Sequence, residues 1–283
     1  MTASIFYLFV NALASHVQNH LPITQILFLQ NLIALCCLIP SIWNNKHFFQ
    51  ITNWKIHLIR DLAGLASYYF IFLALKTINL VDATTLHFTG PFFVPILSYF
   101  WLKERFSPHV WWSIGLGFTG IVIIIHPSWD VFHAGALIAL LGAAATALAL
   151  SAVRHLLLKG EPPQRILFLF FAVSALTMLP FCAVNWVAPT IMEWFSLVAI
   201  GIFAIANQQL LTKGFSLAPI SYFAPFAYSS IVYAALFNWF VFKEPIGIRS
   251  FLGSAMIIIG GSFTYLLAKR EVRIHKQLEE SGI

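Results

Sequence analysis

The stretch Ala74-Leu-Lys-Thr-Ile-Asn-Leu-Val-Asp-Ala-Thr84 returns 137 residues later as Leu211-Thr-Lys-Gly-Phe-Ser-Leu-Ala-Pro-Ile-Ser221. Lys76 stands over Lys213 and Leu80 over Leu217. A second echo follows at a shift of 140, where Trp101-Leu-Lys-Glu104 is answered by Val241-Phe-Lys-Glu244, and each is followed by a span rich in glycine. The change of shift marks a small insertion. The chain is therefore two copies of one plan, and the question is what the plan is for.

Composition supplies the solvent. Hydrophobic residues make up 60% of the chain and charged ones 9%, against about a quarter in ordinary soluble domains. So few charges cannot cover a water-facing surface of 283 residues. Apolar segments near 3–19, 23–43, 57–77, 82–102, 110–126, 133–153, 166–186, 192–212, 219–241 and 249–268 each approach the roughly 20 residues that cross a bilayer core. They are continuously apolar rather than alternating, which argues against a barrel. The expected fold is an all-α integral membrane protein of ten transmembrane helices. The start, Met1-Thr-Ala-Ser-Ile5, lacks a basic region and a cleavage site, so it reads as the first span and not as a signal peptide.

Charge sets orientation. With the N-terminus in the cytoplasm, thirteen of the Lys and Arg residues fall on the inner side and three, Lys76, Lys243 and Arg249, on the outer. That is the asymmetry of the positive-inside rule. The nine tryptophans fall at or near span ends, where an amphipathic ring prefers the headgroup boundary. The net charge of +6 is thus topological, and nucleic acid is not an expected partner; the bilayer is. Cys36 and Cys37 are adjacent on one helix and Cys182 lies on another, so all three read as free thiols.

Five spans per copy is an odd number, so the second copy must enter upside down. The expected units are residues 1–128 and 129–268, followed by a cytoplasmic tail at 269–283. The polar loop Lys159-Gly-Glu-Pro-Pro-Gln-Arg165 also reads as a boundary, since its prolines prevent one continuous helix. Inverted repeats are a plan of secondary transporters, in which two similar bundles enclose a site near the midplane and rock around it.

Arg60 at the head of the third span, Tyr68-Tyr-Phe-Ile-Phe-Leu-Ala-Leu-Lys76, Val81-Asp-Ala-Thr-Thr-Leu86, Pro91 thirteen residues before Glu104, Tyr228 and Phe242-Lys-Glu-Pro245 together resemble the drug/metabolite transporter superfamily, in its EamA-type ten-helix form. The resemblance covers essentially the whole chain. It implies a multi-pass protein of a bacterial inner membrane that carries a small solute. The stretches around Arg60, Pro91 and Tyr228 are most similar to the subgroup holding S-adenosylmethionine uptake carriers. Two departures, Leu29-Gln-Asn31 where relatives often carry Arg and Ile231 where the first half would place proline, leave the cargo open.

Polar groups at membrane depth are costly unless partnered, and ionisable ones mark pathways by default. His87 can bind a solute, take a proton, or simply tie two helices together. Pro91 and Pro95 follow it at a spacing that frees backbone carbonyls. Arg60 can draw an anion to the inner mouth with Asp61 setting its position, or snorkel to lipid phosphates. Asn207-Gln208-Gln209 cannot all face lipid; Asn207 and Gln208 are candidates for a cavity wall, as are Asn11, His16, Gln30 and Asn31 in the first two spans. Tyr68, Tyr69, Tyr222 and Tyr228 offer rings that stack and hydroxyls that bond. The binding candidates are thus Tyr68, Tyr69, His87, Gln208, Asn207, Tyr222, Tyr228, Asn11 and Gln30. Those for gating or coupling are Arg60, Asp61, His87 and Pro91.

Gly135, Ala139, Ala143, Ala147 and Ser151 form a stripe of small residues that permits close helix approach. Glycines of the fifth and tenth spans leave room for a homodimer contact or for packing inside the monomer. No HExxH, GxxxxGK[ST] or GxSxG pattern is present, and no cofactor or metal is expected. A secondary carrier of a small polar or amphipathic metabolite is the leading reading. A membrane enzyme acting on lipid-linked substrates would need clustered carboxylates or bases at one interface. A scaffold would need neither the repeat nor the polar residues at depth.

Overall fold

Seven helices carry the part of the chain that a computed structural model describes, residues 2–42, 51–87 and 134–217 with short pieces at 89–123 and 247–266. They are α1 (Thr2–Val17), α2 (Ile23–Ile42), α3 (Trp54–Ala74), α4 (Leu80–His87), α5 (Ala134–Leu158), α6 (Pro163–Val184) and α7 (Ile191–Leu217). No strand occurs among the described residues. Five of the helices, α2, α3, α5, α6 and α7, are long and apolar enough to cross a membrane, and α1 adds the shorter apolar run Ile5–Val17. Their outer faces carry exposed Leu176, Val184, Met192 and Phe195, the surface that a lipid solvent calls for. The remaining expected spans lie mostly outside the described residues.

The ends differ from the sequence expectation where polar residues sit on helical backbone. α3 starts at Trp54, three residues early, so Arg60 lies nearly two turns inside it. α5 runs on through Arg154 and His155 to Leu158, and α7 through Thr212 and Lys213 to Leu217. Arg154 donates from Nη1 to the Phe215 carbonyl at 3.0 Å, a cation satisfying a helix C-terminus. α5 then stops in a glycine cap: Gly160 has φ +81°, Gly160 N–H bonds the Leu157 carbonyl and Glu161 N–H the Leu156 carbonyl. These are the two bonds of a Schellman motif. Pro163 opens α6 at its first position, where a missing N–H costs nothing.

Packing obeys an exchange of halves. If α1, α2 and α3 correspond to α5, α6 and α7, then the contact of α3 with α5 maps onto that of α7 with α1. The contact of α2 with α7 maps onto that of α6 with α3, and α2 with α6 maps onto itself. All of these pairs are in contact. Corresponding helices also run in opposite directions. Near the head of α2, Gln25 receives the Val187 N–H at 3.0 Å and donates to the Val187 carbonyl at 2.7 Å, just past the end of α6. At the same end His20, after α1, meets Glu193, at the head of α7, at 2.9 Å. An internal two-fold axis in the membrane plane produces both relations.

The stripe of small residues is buried. Ala139, Ala143 and Ala147 are fully enclosed, and α3 lies along α5. A methyl group on Gly135 would strike the Thr77 side chain, and one on Gly142 would come within 3.3 Å of His87 Nδ1. Another close approach, of α7 to α2, is at Gly201, where a Cβ would lie 2.6 Å from Ile33 Cγ2 and 3.3 Å from the Gln30 carbonyl. Gly201→Val is expected to lower stability by about 1–3 kcal/mol through overpacking, read as an earlier midpoint of thermal unfolding in detergent; an unchanged midpoint would show the two helices free to part.

The opposite end is basic. Lys55, Arg154, Lys159, Arg165 and Lys213 gather there, whereas Lys76 lies at the other end, beyond the last turn of α3. The polar loop between α5 and α6 is fastened to the head of α3. Buried Glu161 accepts from Arg165 Nη1 at 2.7 Å and from the Thr52 hydroxyl at 3.0 Å, with His57 Nε2 at 3.8 Å. Lys159 reaches Asn53 at 3.3 Å. Burial alone would raise the Glu161 carboxyl; the bonds from Arg165 and Thr52, with the charges of Arg165 and His57, hold it below its ordinary 4.5. A depressed folded-state value means the clamp contributes fully above pH 4.5 and is lost as pH falls through the lower folded-state value. Glu161→Gln is therefore expected to flatten the acid limb of the stability–pH curve; an identical acid limb would remove the clamp from the account.

Candidate functional site

Among the described residues, Arg60, Gln208, Asn207 and Tyr68 form a hydrogen-bonded chain that crosses from the first repeat to the second. Arg60 on α3 is 2% exposed and its neighbour Asp61 1%. Arg60 Nη2 donates to Gln208 Oε1 on α7 at 3.2 Å. Gln208 Nε2 and Asn207 Nδ2 donate in turn to the Tyr68 hydroxyl on α3, at 3.4 and 3.3 Å. Tyr68 sits eight residues beyond Arg60, about 12 Å along the helix. Its oxygen accepts twice, which leaves its own proton for a further acceptor.

Rings continue the chain. Tyr68 lies beside Tyr7 of α1 at 6.4 Å, and Tyr7 stacks on His87 of α4 at 5.4 Å and 19°. His87 Nε2 is 3.0 Å from the Thr146 hydroxyl on α5. That hydroxyl also bonds the Gly142 carbonyl at 2.9 Å and the Ser67 hydroxyl. One hydroxyl proton serves one acceptor. With it on Gly142, the Nε2 of His87 must carry the ring proton and donate. Gly142 makes this approach possible, since no side chain stands between α5 and the His87 ring.

Arg60 is held flat. Its guanidinium carbon lies 3.8 Å over the ring of Phe170 on α6, and Gly64, one turn further along α3, leaves room for that ring. Arg60 Nη1 is 3.7 Å from Asp61 Oδ1, within Coulombic reach and beyond hydrogen-bond distance. Arg60 does not snorkel to the lipid boundary. It is buried between α3, α6 and α7.

The other candidates fall out as follows. Asn11 is fully buried on α1, one turn beyond Tyr7. Gln30 is fully buried with neither amide atom hydrogen-bonded, and Asn31 turns back onto the Leu27 carbonyl at 2.7 Å. Tyr69, a hundred degrees round the helix from Tyr68, packs edge-on to Phe70 and stays outside the chain. His16 and Gln209 are exposed. Pro91, Tyr222 and Tyr228 lie outside the described residues. Tyr7, Ser67, Thr146 and Phe170 were not singled out in advance. Tyr7 shares a helix face with Asn11 at i+4, a spacing that the sequence itself displays.

A bundle with a buried polar chain between two inverted halves, inside an apolar shell, is the architecture of a membrane carrier of small solutes. The EamA-like transporter family matches the chain twice, over residues 1–126 and 133–266, and the chain belongs to that family. It is similar to a pseudopaline exporter of Pseudomonas aeruginosa, 28% identical over 259 residues with 91% of each chain covered. A riboflavin transporter of Brucella anthropi is 27% identical over 258 residues, covering 87% of this chain and 88% of that one. An S-adenosylmethionine uptake transporter of Rickettsia bellii is 26% identical over 256 residues, with 89% and 86% covered. A crystal structure at 20% identity superposes with a TM-score of 0.71 over 95% of this chain and 96% of the other, which establishes the fold. The protein is a multi-pass secondary transporter of small metabolites and not an enzyme.

Proposed function

We propose that the solute binds along the chain of Arg60, Gln208, Asn207, Tyr68 and His87, and that the two repeats, residues 1–128 and 129–268, expose this site to one side of the membrane at a time. The observation that carries the reading is that a buried hydrogen-bonded run of Arg60, Gln208, Asn207 and Tyr68 spans both repeats and is carried on to His87 by ring contacts of Tyr7, with bonding capacity left over at Arg60, Asp61 and Tyr68. Packing alone does not require unspent charge at depth. The relatives are named for pseudopaline, riboflavin and S-adenosylmethionine, three unlike metabolites, so the family leaves the cargo to the residues of the site. The bacterial inner membrane is the location this reading takes. Asn11, Gln30 and Tyr69 would flank the site; Tyr222, Tyr228 and Pro91, the remaining candidates from the sequence, lie outside the described residues.

The test is reconstitution into proteoliposomes loaded with a small-molecule cell extract, followed by mass spectrometry of what leaves on dilution. Specific solutes should be released by the wild type. Their apparent affinity should fall about tenfold in Tyr68→Phe, the equivalent of one hydrogen bond, and more in Gln208→Leu. Release of nothing beyond protein-free vesicles, or release indifferent to both changes, would remove the site.

His87 has a separate test. Its Nε2 faces Thr146 and its ring faces Tyr7, so it is expected to serve binding. His87→Ala should then reduce counterflow and pH-gradient-driven uptake equally. Loss of the driven uptake with counterflow spared would make it the carrier of a coupling proton.

A further inference from the structure

We infer that the transported solute is a zwitterion, with its anionic group on Arg60 and its ammonium on Asp61. This rests on the reading of the polar chain as the solute site, and it narrows the cargo to a chemical class.

The two side chains are neighbours in sequence, almost wholly enclosed, and opposite in charge, yet they do not close on each other. At 3.7 Å the Nη1–Oδ1 pair lacks a hydrogen bond. Arg60 spends Nη2 on Gln208, while its Nε and Nη1, and Asp61 Oδ1, have no hydrogen-bond partner. Buried charges left with unused donors and acceptors are costly to keep. A fold retains such a pair when something else completes it.

The geometry says what completes it. Phe170 lies under the guanidinium, and Nη1, the nitrogen nearest Asp61, keeps its N–H groups for a carboxylate or another anion. Asp61 Oδ1 lies beside that nitrogen and accepts from a cation. The pair has no net charge. A net-neutral zwitterion laid across it, with its dipole reversed, leaves the buried site neutral. A simple anion or a simple cation would strand a charge in low dielectric. Multiply anionic and purely cationic solutes are disfavoured on the same ground. An α-amino-acid head, or any molecule carrying an ammonium and a carboxylate a few ångströms apart, fits both partners at once.

The test uses the purified full-length protein and three probes at about 100 mM, in the range where weak ligands register as stabilisation. These are glycine, sodium acetate with methylammonium chloride together, and an ultrafiltered small-molecule cell extract. Glycine joins in one molecule the two charges that the salt mixture supplies separately. It should raise the apparent melting temperature of the wild type by about 2–4 °C more than the mixture does. This excess should vanish in Arg60→Gln and in Asp61→Asn, whereas the exclusion effect common to osmolytes remains in all. Glycine no better than the mixture, or an excess that survives both changes, would overturn the inference. The first comparison needs no variant, so a variant that fails to fold does not blunt the test. If the extract protects the wild type and not Tyr68→Phe while glycine protects neither, the zwitterion falls and the solute site stands. If neither probe protects, both fall.

Discussion

Replacing Arg60 with Met is expected to destabilise the protein by about 3–5 kcal/mol, because it strands the Asp61 carboxylate in the interior without its cation. Removing both charges, in Arg60→Met with Asp61→Leu, is expected to restore most of that loss, since a buried ion pair is often replaceable by well-packed apolar side chains. Transport should not return in either. This divergence separates the two uses of a buried pair. A pair that serves only packing would give a double variant that is both stable and active. A pair that binds solute gives one that is stable and inert. Thermal unfolding in detergent and counterflow in vesicles read the two properties on the same preparations, and recovery of counterflow in the double variant would remove Arg60 and Asp61 from the site.

The second large effect is at Phe170. It is fully buried, lies 5.0 Å from Phe171 and 6.5 Å from Tyr68, and carries the Arg60 guanidinium on its face. Phe170→Ala should cost about 3–5 kcal/mol through the cavity it leaves. Phe170→Leu keeps most of the volume and removes the ring, so it isolates the cation–π contact, worth about 2 kcal/mol in a desolvated setting. The leucine variant should remain folded and show a solute affinity at least tenfold weaker, because Arg60 is no longer held flat. Equal affinity in the leucine variant would mean that the ring supports packing alone.

The sequence carried the membrane class and the repeat, because these rest on long apolar runs and on stretches that recur in both halves. It also carried the residue types at depth. Asn207 and Gln208 had to find polar neighbours, and did so on Tyr68. It did not carry depth near span ends. Arg60 reads as a boundary residue because the apolar run begins near residue 57, yet the helix begins at Trp54 and places Arg60 nearly two turns inside it. Nor did it carry pairing across the repeats. Thr146 reads as one more small residue in the stripe between Ala143 and Ala147, and only the approach of α4 to α5 at Gly142 turns it into the partner of His87. Glu161 reads as a loop residue beside two prolines; the glycine cap at Gly160 folds the loop back so that its carboxylate meets Thr52 and Arg165. Distances between elements far apart in the chain have no periodic signature.

The whole account depends on the two repeats entering the bilayer in opposite senses, so that their corresponding helices meet around one shared site. The measurement that reaches this most directly is side-specific thiol labelling of Lys103→Cys and Lys243→Cys, in a background with Cys36, Cys37 and Cys182 replaced. Those two positions occupy corresponding places in the two halves, outside the described residues. The account predicts that an impermeant reagent added to intact cells labels the cysteine at 243 and spares the one at 103. Labelling of both from the same side would contradict it.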